Sequence, residues 1–255
     1  MLEFIVEVAK AAGAEALKYF GHLAPSDVQG KATSKDLVSV ADKAVERFII
    51  DRITSRFPDH AFFGEESGHI GNKSPYCWVI DPIDGTQSFV QNHPYFSISI
   101  ALYREGKALA GVVNAPALDR LFSAAAGEGA WLNGVGIRVS RCAELSEAAC
   151  ATGFALLREN RVERTLERFN RVLPHLRDIK RCGSAALDLG FTAAGIYDAY
   201  WEDGLKLYDV AAGVLIAREA GARVCDFDGG EDIPARGVIA GSPAIVGALQ
   251  KLIAM

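Results

Sequence analysis

The sequence has no apolar run of membrane-spanning length, no Cys-x-x-Cys pair and no excess of positive charge. The first absence argues against membrane-spanning helices, which need about 20 consecutive apolar residues. The five cysteines (Cys77, Cys142, Cys150, Cys182 and Cys225) are odd in number and widely spaced. They suit reduced, mostly buried small hydrophobes in a cytoplasmic protein rather than a disulfide framework. A formal charge of −5 argues against nucleic acid as the main ligand, because phosphate backbones are held chiefly by Lys and Arg. The opening residues Met1-Leu2-Glu3-Phe4-Ile5 lack a basic region followed by a long apolar segment, so no export signal is expected. No Pro/Gly/Ser-rich linker, repeat or low-complexity stretch divides the chain. Its 255 residues are half hydrophobic and 23% charged, enough for a sizeable core in one large domain or two lobes sharing a cleft.

Leu2, Phe4, Ile5, Val8, Ala12 and Leu17 recur at helical spacing, and Gly21 offers a stop. A second helix is expected from near Ser39 to Arg56, with Asp42 and Glu46 one turn apart beside its buried stripe. From His60 to about Ser140 the pattern changes to short strands resembling an antiparallel meander. Within it Phe96 to Leu102 alternates as a half-buried strand should. After Ser140, strands alternate with helices expected near Glu159–Leu173, Ser184–Ala194 and Val210–Ala220. This order predicts an α+β half followed by an α/β half, two layers of sheet among helices with the site between lobes. Arg158 to Arg181 is interleaved with acids and reads as a solvated helix face.

The richest stretch is Trp78-Val79-Ile80-Asp81-Pro82-Ile83-Asp84-Gly85-Thr86, an apolar run ending in two carboxylates. Dehydrating an unpaired carboxylate costs several kcal/mol, and two neighbouring ones raise each other's pKa. No Lys, Arg or His lies between Trp78 and Ser88, so a bound divalent cation is the economical counter-charge. Asp-Gly-Thr also suits a tight turn whose backbone N–H groups face an anion. Hard cation and anion cradle together point to phosphate chemistry. Glu65 and Asp209 also stand where an apolar run ends or a helix begins. Taken alone, Glu65 reads as a loop acid and Asp209 as a helix cap.

Four ordered motifs resemble the inositol monophosphatase family of metal-dependent, lithium-sensitive phosphatases, over essentially the whole chain. They are Gly64-Glu65-Glu66-Ser67, Asp81-Pro82-Ile83-Asp84-Gly85-Thr86, Gly127-Glu128-Gly129-Ala130-Trp131-Leu132-Asn133-Gly134 and Tyr208-Asp209-Val210-Ala211-Ala212-Gly213. The resemblance implies one catalytic domain, 1–255, built as a layered α-β-α-β-α sandwich. Its lobes would span about 1–140, with the antiparallel sheet, and 141–255, of α/β type. Carried over by position, Glu65, Asp81 and the Ile83 carbonyl would hold one Mg²⁺. Asp81, Asp84 and Asp209 would hold a second, and a weaker third would use Glu65 with Asp42 acting through water. Carboxylate, carbonyl and water oxygens suit Mg²⁺, and Mn²⁺ equally.

The implied reaction is metal-assisted hydrolysis by water without a covalent enzyme intermediate. Thr86, hydrogen-bonded to Glu65, would orient the water, although it could instead only cap the next helix. Gly85 and Thr86 would hold phosphate through their backbone N–H groups. Gly183, Ser184, Ala185, Glu202 and Asp209 would contact a phosphorylated polyol, inositol 1-phosphate first. Glu202 could equally be a rim residue, and Lys206 a solvated one. Lys31 and Asp36 fall in a segment, Gly30 to Val38, that matches a mobile arm near the metals or a plain polar loop. Tyr208 replaces a usual tryptophan, and Gln87-Ser88 a Thr-Asn-like pair. Histidinol phosphate, fructose 1,6-bisphosphate, NADP and 3′-phosphoadenosine phosphates are alternative esters. A regulatory role through transcription machinery is a further alternative. A structural calcium site is disfavoured, since no EF-hand spacing occurs. The resemblance also implies a homodimer, for which the strands after Tyr95 could supply a surface.

Overall fold

The computed structural model describes residues 1–31, 33–71 and 73–254. Ile5, Val8, Ala9, Ala12 and Ala16 form the buried stripe of helix α1 (Leu2–Leu17). Helix α2 (Val40–Arg56) starts in a capping box. Ser39 accepts the Ala41 N–H, while its own N–H and hydroxyl donate to Asp42 at 2.7 and 2.6 Å. Asp42 and Glu46 are both buried on this helix.

An eight-stranded sheet follows, formed by β3 (Ala61–Gly64), β4 (Gly68–Ile70), β5 (Tyr76–Asp84), β6 (Ser97–Arg104), β7 (Lys107–Ala115), β8 (Arg120–Ala125), β9 (Gly129–Leu132) and β10 (Val135–Gly136). Its order is β10-β9-β8-β7-β6-β5-β3-β4. The pairs from β5 through β10 are antiparallel, the expected meander, but β3 lies parallel to β5. A separate hairpin of β1 (Val28–Gly30) and β2 (Leu37–Ser39) precedes α2.

The C-terminal half supplies β11 (Ala149–Thr152), β12 (Asp178–Lys180), β13 (Ala199–Glu202), β14 (Arg223–Cys225) and β15 (Val238–Gly241). They pair in the order β12-β11-β13-β15-β14, parallel around β11 and antiparallel around β15. The helices are α3 (Thr86–Val90), α4 (Glu163–Val172), α5 (Ala185–Ala193), α6 (Leu207–Glu219) and α7 (Pro243–Ala254). Helix α4 is shorter than expected because a separate 3₁₀ turn, Ala155–Glu159, precedes it and Asn160 adopts a positive φ.

The buried clusters give the layer order. Ile5, Val45 and Ile49 from α1 and α2 pack with Ile80, Ile100 and Val112 on one face of the large sheet. Val79, Ala101 and Val113 on its other face pack against Ala186 of α5 and Ala212 of α6. The far sides of α5 and α6 present Leu189 and Val210 to Tyr200 and Ala240 of the small sheet. Its outer face, with Cys150 and Trp201, is closed by Val172 of α4 and Val246 of α7. The result is the expected α-β-α-β-α sandwich, with both sheets covered on both faces.

That double cover changes one expectation. Strand β6 is buried along both faces from Ser97 to Leu102, so it cannot be half-solvated or supply a dimer surface. Its period-two serines face α5 and α6: Ser97 lies 3.2 Å from Ser184, and the Ser99 hydroxyl reaches the Tyr208 carbonyl. The cysteines are all free, with Cys150 and Cys225 buried. Among the described residues no helix is long and apolar enough to cross a membrane.

Helix α6 rests directly on β7 because Gly111 has no side chain. A Cβ there would lie 3.0 Å from the Ala212 Cα. Gly111→Val is expected to destabilise the protein by about 1–3 kcal/mol and to weaken divalent-metal binding by displacing α6. Val112→Ala, on the opposite face, should destabilise comparably while preserving metal affinity. Urea unfolding and metal titration of both variants provide the check, and unchanged metal affinity in Gly111→Val would refute the coupling.

Candidate functional site

Strand β5 carries a continuous apolar run to Ile80 and then its two carboxylates. Residues three apart on a regular strand point to opposite faces. Here the register slips: Asp81 pairs with Ser99 and Asp84 with Ser97, so one extra residue bulges from β5. The bulge returns both carboxylates to the same face. Asp209 joins them from the first turn of α6, where the Lys206 N–H donates to its Oδ2 at 2.5 Å. One carboxylate oxygen from each of Asp81, Asp84 and Asp209 lies within 4.8 Å of the others, and all three residues are buried.

The electrostatics of this trio are unfavourable as they stand. Burial, then Glu65, Asp84 and Asp209, push the Asp81 carboxyl well above the usual range. Its Oδ1 is buried and has no hydrogen-bond partner among the described residues. Asp84 is pushed up to about 6 by burial, although the Ser184 hydroxyl (2.6 Å) and the Ala186 N–H (2.7 Å) partly relieve it. Burial raises Asp209 to about 7 against the counter-pull of Arg158. An orphaned buried oxygen among crowded carboxylates fits a hard divalent cation.

The remaining expected residues surround the trio. The Glu65 N–H donates to the Ile80 carbonyl at 3.1 Å, which ties the residue after β3 to β5. The resemblance implies a hydrogen bond from Thr86 to its side chain; in the structure that side chain instead accepts from Lys31 at 2.8 Å. Lys31 also bonds Glu66 at 2.6 Å. Burial opposes the Lys31 charge, yet the two glutamates overcome it and raise its pKa. Thr86 turns to Asp42 instead, its hydroxyl lying 3.2 Å from both the Asp42 Oδ1 and the Ile83 carbonyl. Burial holds Asp42 up at about 6. Gly85 makes the turn into α3 at φ 95°, and a Cβ there would sit 3.0 Å from the Tyr95 carbonyl. Only glycine suits such a close, left-handed turn.

Next to the trio lies a cavity of about 370 Å³, bordered by Glu65, Gly85, Thr86, Gly183, Ala185 and Glu202 but by none of the three acids themselves. Glu202 is no rim residue. It ends β13, is 7% exposed, and accepts from the Ala155 N–H at 2.7 Å and the Tyr200 hydroxyl at 2.6 Å. Burial pushes it to about 7. Ser184 does not line the cavity; its hydroxyl caps α5 and bonds Asp84, so it shapes the acid cluster rather than the pocket. Lys206 points away too, its Nζ 3.9 Å from Glu159.

Arg158 is the feature that sequence reasoning missed. It belongs to the 3₁₀ turn ahead of α4, not to a solvated helix face, and lines the cavity with Arg181 and Lys35. Burial works against its charge, but Asp209, Glu65, Asp84 and Glu202 more than offset this and raise its pKa. The turn is tied to the β1–β2 loop, where the Thr33 hydroxyl donates to the Arg158 carbonyl at 2.7 Å. The chain therefore combines a buried acid cluster with an adjoining cavity lined by the cations Lys35, Arg158 and Arg181 and by the carboxylates of Glu65 and Glu202. Such a cavity can take metal and a phosphorylated hydroxylated molecule together.

Comparison with known proteins agrees with this arrangement. A family model described as the inositol monophosphatase family matches residues 1–254. A Nus factor SuhB from Pasteurella multocida is 41% identical over 249 residues, covering 96% of this chain and 92% of that protein. An inositol-1-monophosphatase from Mesorhizobium japonicum is 37% identical over 255 residues, covering 99% and 96%. The crystal structure of extragenic suppressor protein suhB from Bartonella henselae superposes with a TM-score of 0.92 at 37% identity, over 98% of this chain and 97% of that one.

The raised carboxyl groups set a pH dependence. In metal-free protein Asp84, Asp209 and Glu202 titrate near 6 to 7 when folded, against about 4 when unfolded. The folded state then binds more protons between these values, so its stability falls as pH rises through that window. A divalent cation replaces those protons. The rise in melting temperature on adding saturating Mg²⁺ or Mn²⁺ is thus expected to be larger at pH 7.5 than at pH 5.5. Equal shifts in calorimetry at the two pH values would contradict the assignment.

Proposed function

We propose that this chain, which belongs to the inositol monophosphatase family, is a Mg²⁺-dependent phosphomonoesterase acting on inositol 1-phosphate and related small polyol phosphates. The observation that carries this reading is the buried convergence of Asp81, Asp84 and Asp209, with an Asp81 oxygen unpartnered among the described residues, next to a cavity that Glu65, Thr86 and Glu202 border. We assign Glu65, Asp81, Asp84, Asp209 and the Ile83 carbonyl to the metals. Bound Mg²⁺ would supply charge neutralisation of the phosphate and acidify the attacking water.

The chain's own groups would do the rest. The N–H groups of Gly85 and Thr86, at the turn into α3, are assigned to phosphate oxygens. The Thr86 hydroxyl, positioned by Asp42 rather than by Glu65, is assigned to orienting the water. Glu202 has two oxygens already engaged by Ala155 and Tyr200, so its remaining lone pairs are available to substrate hydroxyls. Gly183 and Ala185 border the same cavity, and their small size leaves room for a ring. Arg158 adds a fixed positive charge to the cavity lining that would attract a phosphate dianion. We place the protein in the cytoplasm as a homodimer of single-domain chains, with the two lobes meeting at this cavity.

A second reading has a specific basis: relatives as similar as 41% carry the name Nus factor SuhB. A role in association with transcription machinery could accompany or replace hydrolysis. Phosphate release from inositol 1-phosphate, measured with and without Mg²⁺ beside the alternative esters, ranks substrates. Lithium at millimolar order should inhibit, and preference for a nucleotide ester would overturn the polyol assignment. Asp84→Asn should fold normally yet lower turnover by at least about a hundredfold at saturating Mg²⁺. Near-wild-type turnover would refute the metal assignment. A cellular phenotype rescued equally by Asp84→Asn would favour the regulatory role.

A further inference from the structure

Behind the Ala155–Glu159 turn lies a second cavity, about 740 Å³, that shares only a border with the catalytic cleft at Leu205. It opens between α4 and the loop that follows β14. Five cationic side chains, Arg161, Arg164, Arg168, Lys206 and Arg236, face three acidic ones, Glu159, Asp203 and Asp228. This local excess of positive charge stands out on a chain whose formal charge is −5.

The pairing inside the cavity is incomplete. Arg168 pairs with Asp203, Arg236 with Asp228, and Arg161 with Glu159 at 3.2 Å. Lys206 reaches the same, already engaged Glu159 only at 3.9 Å. Among the described residues no carboxylate lies within 4 Å of the Arg164 guanidinium. Two positive charges are therefore left for an external anion. Leu156, Leu207, Phe227 and Pro234 give the same cavity an apolar wall, and Arg168 lies 4.6 Å over the Phe227 ring.

We infer that this cavity is a binding site for a small organic anion carrying two or more phosphate groups, of the nucleoside di- or triphosphate class. Guanidinium forks match phosphate oxygens in pairs. The charge excess calls for a ligand with at least two negative charges, and Leu156, Leu207 and Pro234 offer its organic body an apolar surface. The volume falls within the range of small-molecule sites, about 300–1,000 Å³. A nucleic acid is a poorer match for a chain whose formal charge is −5. The site stands independently of the phosphatase reading, since none of its cations belongs to the acid trio or the metal assignment.

The test uses ATP as probe, titrated calorimetrically into full-length protein in EDTA, so that no divalent cation supports binding in the catalytic cleft. Wild type and Asp84→Asn are expected to bind one ATP per chain with equal affinity. The double variant Arg161→Glu/Arg164→Glu should weaken binding at least about tenfold with an unchanged melting temperature. Arg164→Ala, a truncation on an exposed helix face, carries the test if the double variant fails to fold, and should weaken binding in the same direction. Pyrophosphate and adenosine should each bind less tightly than ATP. Absent binding, binding unaffected by the arginine variants, or binding lost in Asp84→Asn would overturn the site. Displacement of ATP by single-stranded RNA at lower concentration than by ADP would replace it with a nucleic-acid surface.

Discussion

Three carboxylates buried within reach of one another repel, and the rest of the structure is organised around that repulsion. Asp81, Asp84 and Asp209 each lose their hydration on folding, and among the described residues Asp81 Oδ1 gains no hydrogen bond in return. An isolated arrangement of this kind is costly. The chain offsets part of the cost with Ser184, the Ala186 N–H and the Lys206 N–H, which donate to Asp84 and Asp209. It offsets another part with Arg158 and Lys31, whose charges are strengthened by the acids around them. What remains uncompensated is the affinity of the site for a divalent cation.

The sandwich exists in a form that serves this centre. Helices α5 and α6 form its middle layer, and they touch both sheets, so the residues at their starts are fixed from two sides. The start of α5 brings Ser184 and Ala186 to Asp84, while the start of α6 brings Asp209 beside it. The bulge in β5 supplies the third direction. Serines of β6 then fill the seam between sheet and helices with polar atoms small enough to let the backbones approach.

How much of this was legible depended on how local the determining interaction is. The Asp81–Thr86 turn could be read directly, because strand, proline and glycine act within a few residues of one another. The layer order followed from the switch between strand-rich and strand–helix patterns, and α1, α2 and α6 from their apolar periodicity. Glu65 and Asp209 were weak alone and gained meaning only as members of an ordered set. Contacts between distant segments were not legible. Lys31 with Glu65 and Thr86 with Asp42 are 34 and 44 residues apart, and neither pairing leaves a mark on spacing. Arg158 was hidden by acids nearby in sequence that suggested a helix face. The positive φ at Asn160, which separates it from α4, is a tertiary fact with only the Asn itself as a hint. Strand β6 misled for another reason: alternation reports two unlike faces, and here the polar face meets helices rather than water.

The most direct measurement is a crystal structure with Mn²⁺, read by its anomalous scattering. The account predicts peaks at coordination distance from carboxylate oxygens of Asp81, Asp84 and Asp209, with the Lys31–Glu65 pair opened where Glu65 joins them. Crystals grown at saturating Mn²⁺ in which the three carboxylates stay uncoordinated, or bind the ion elsewhere, would contradict it.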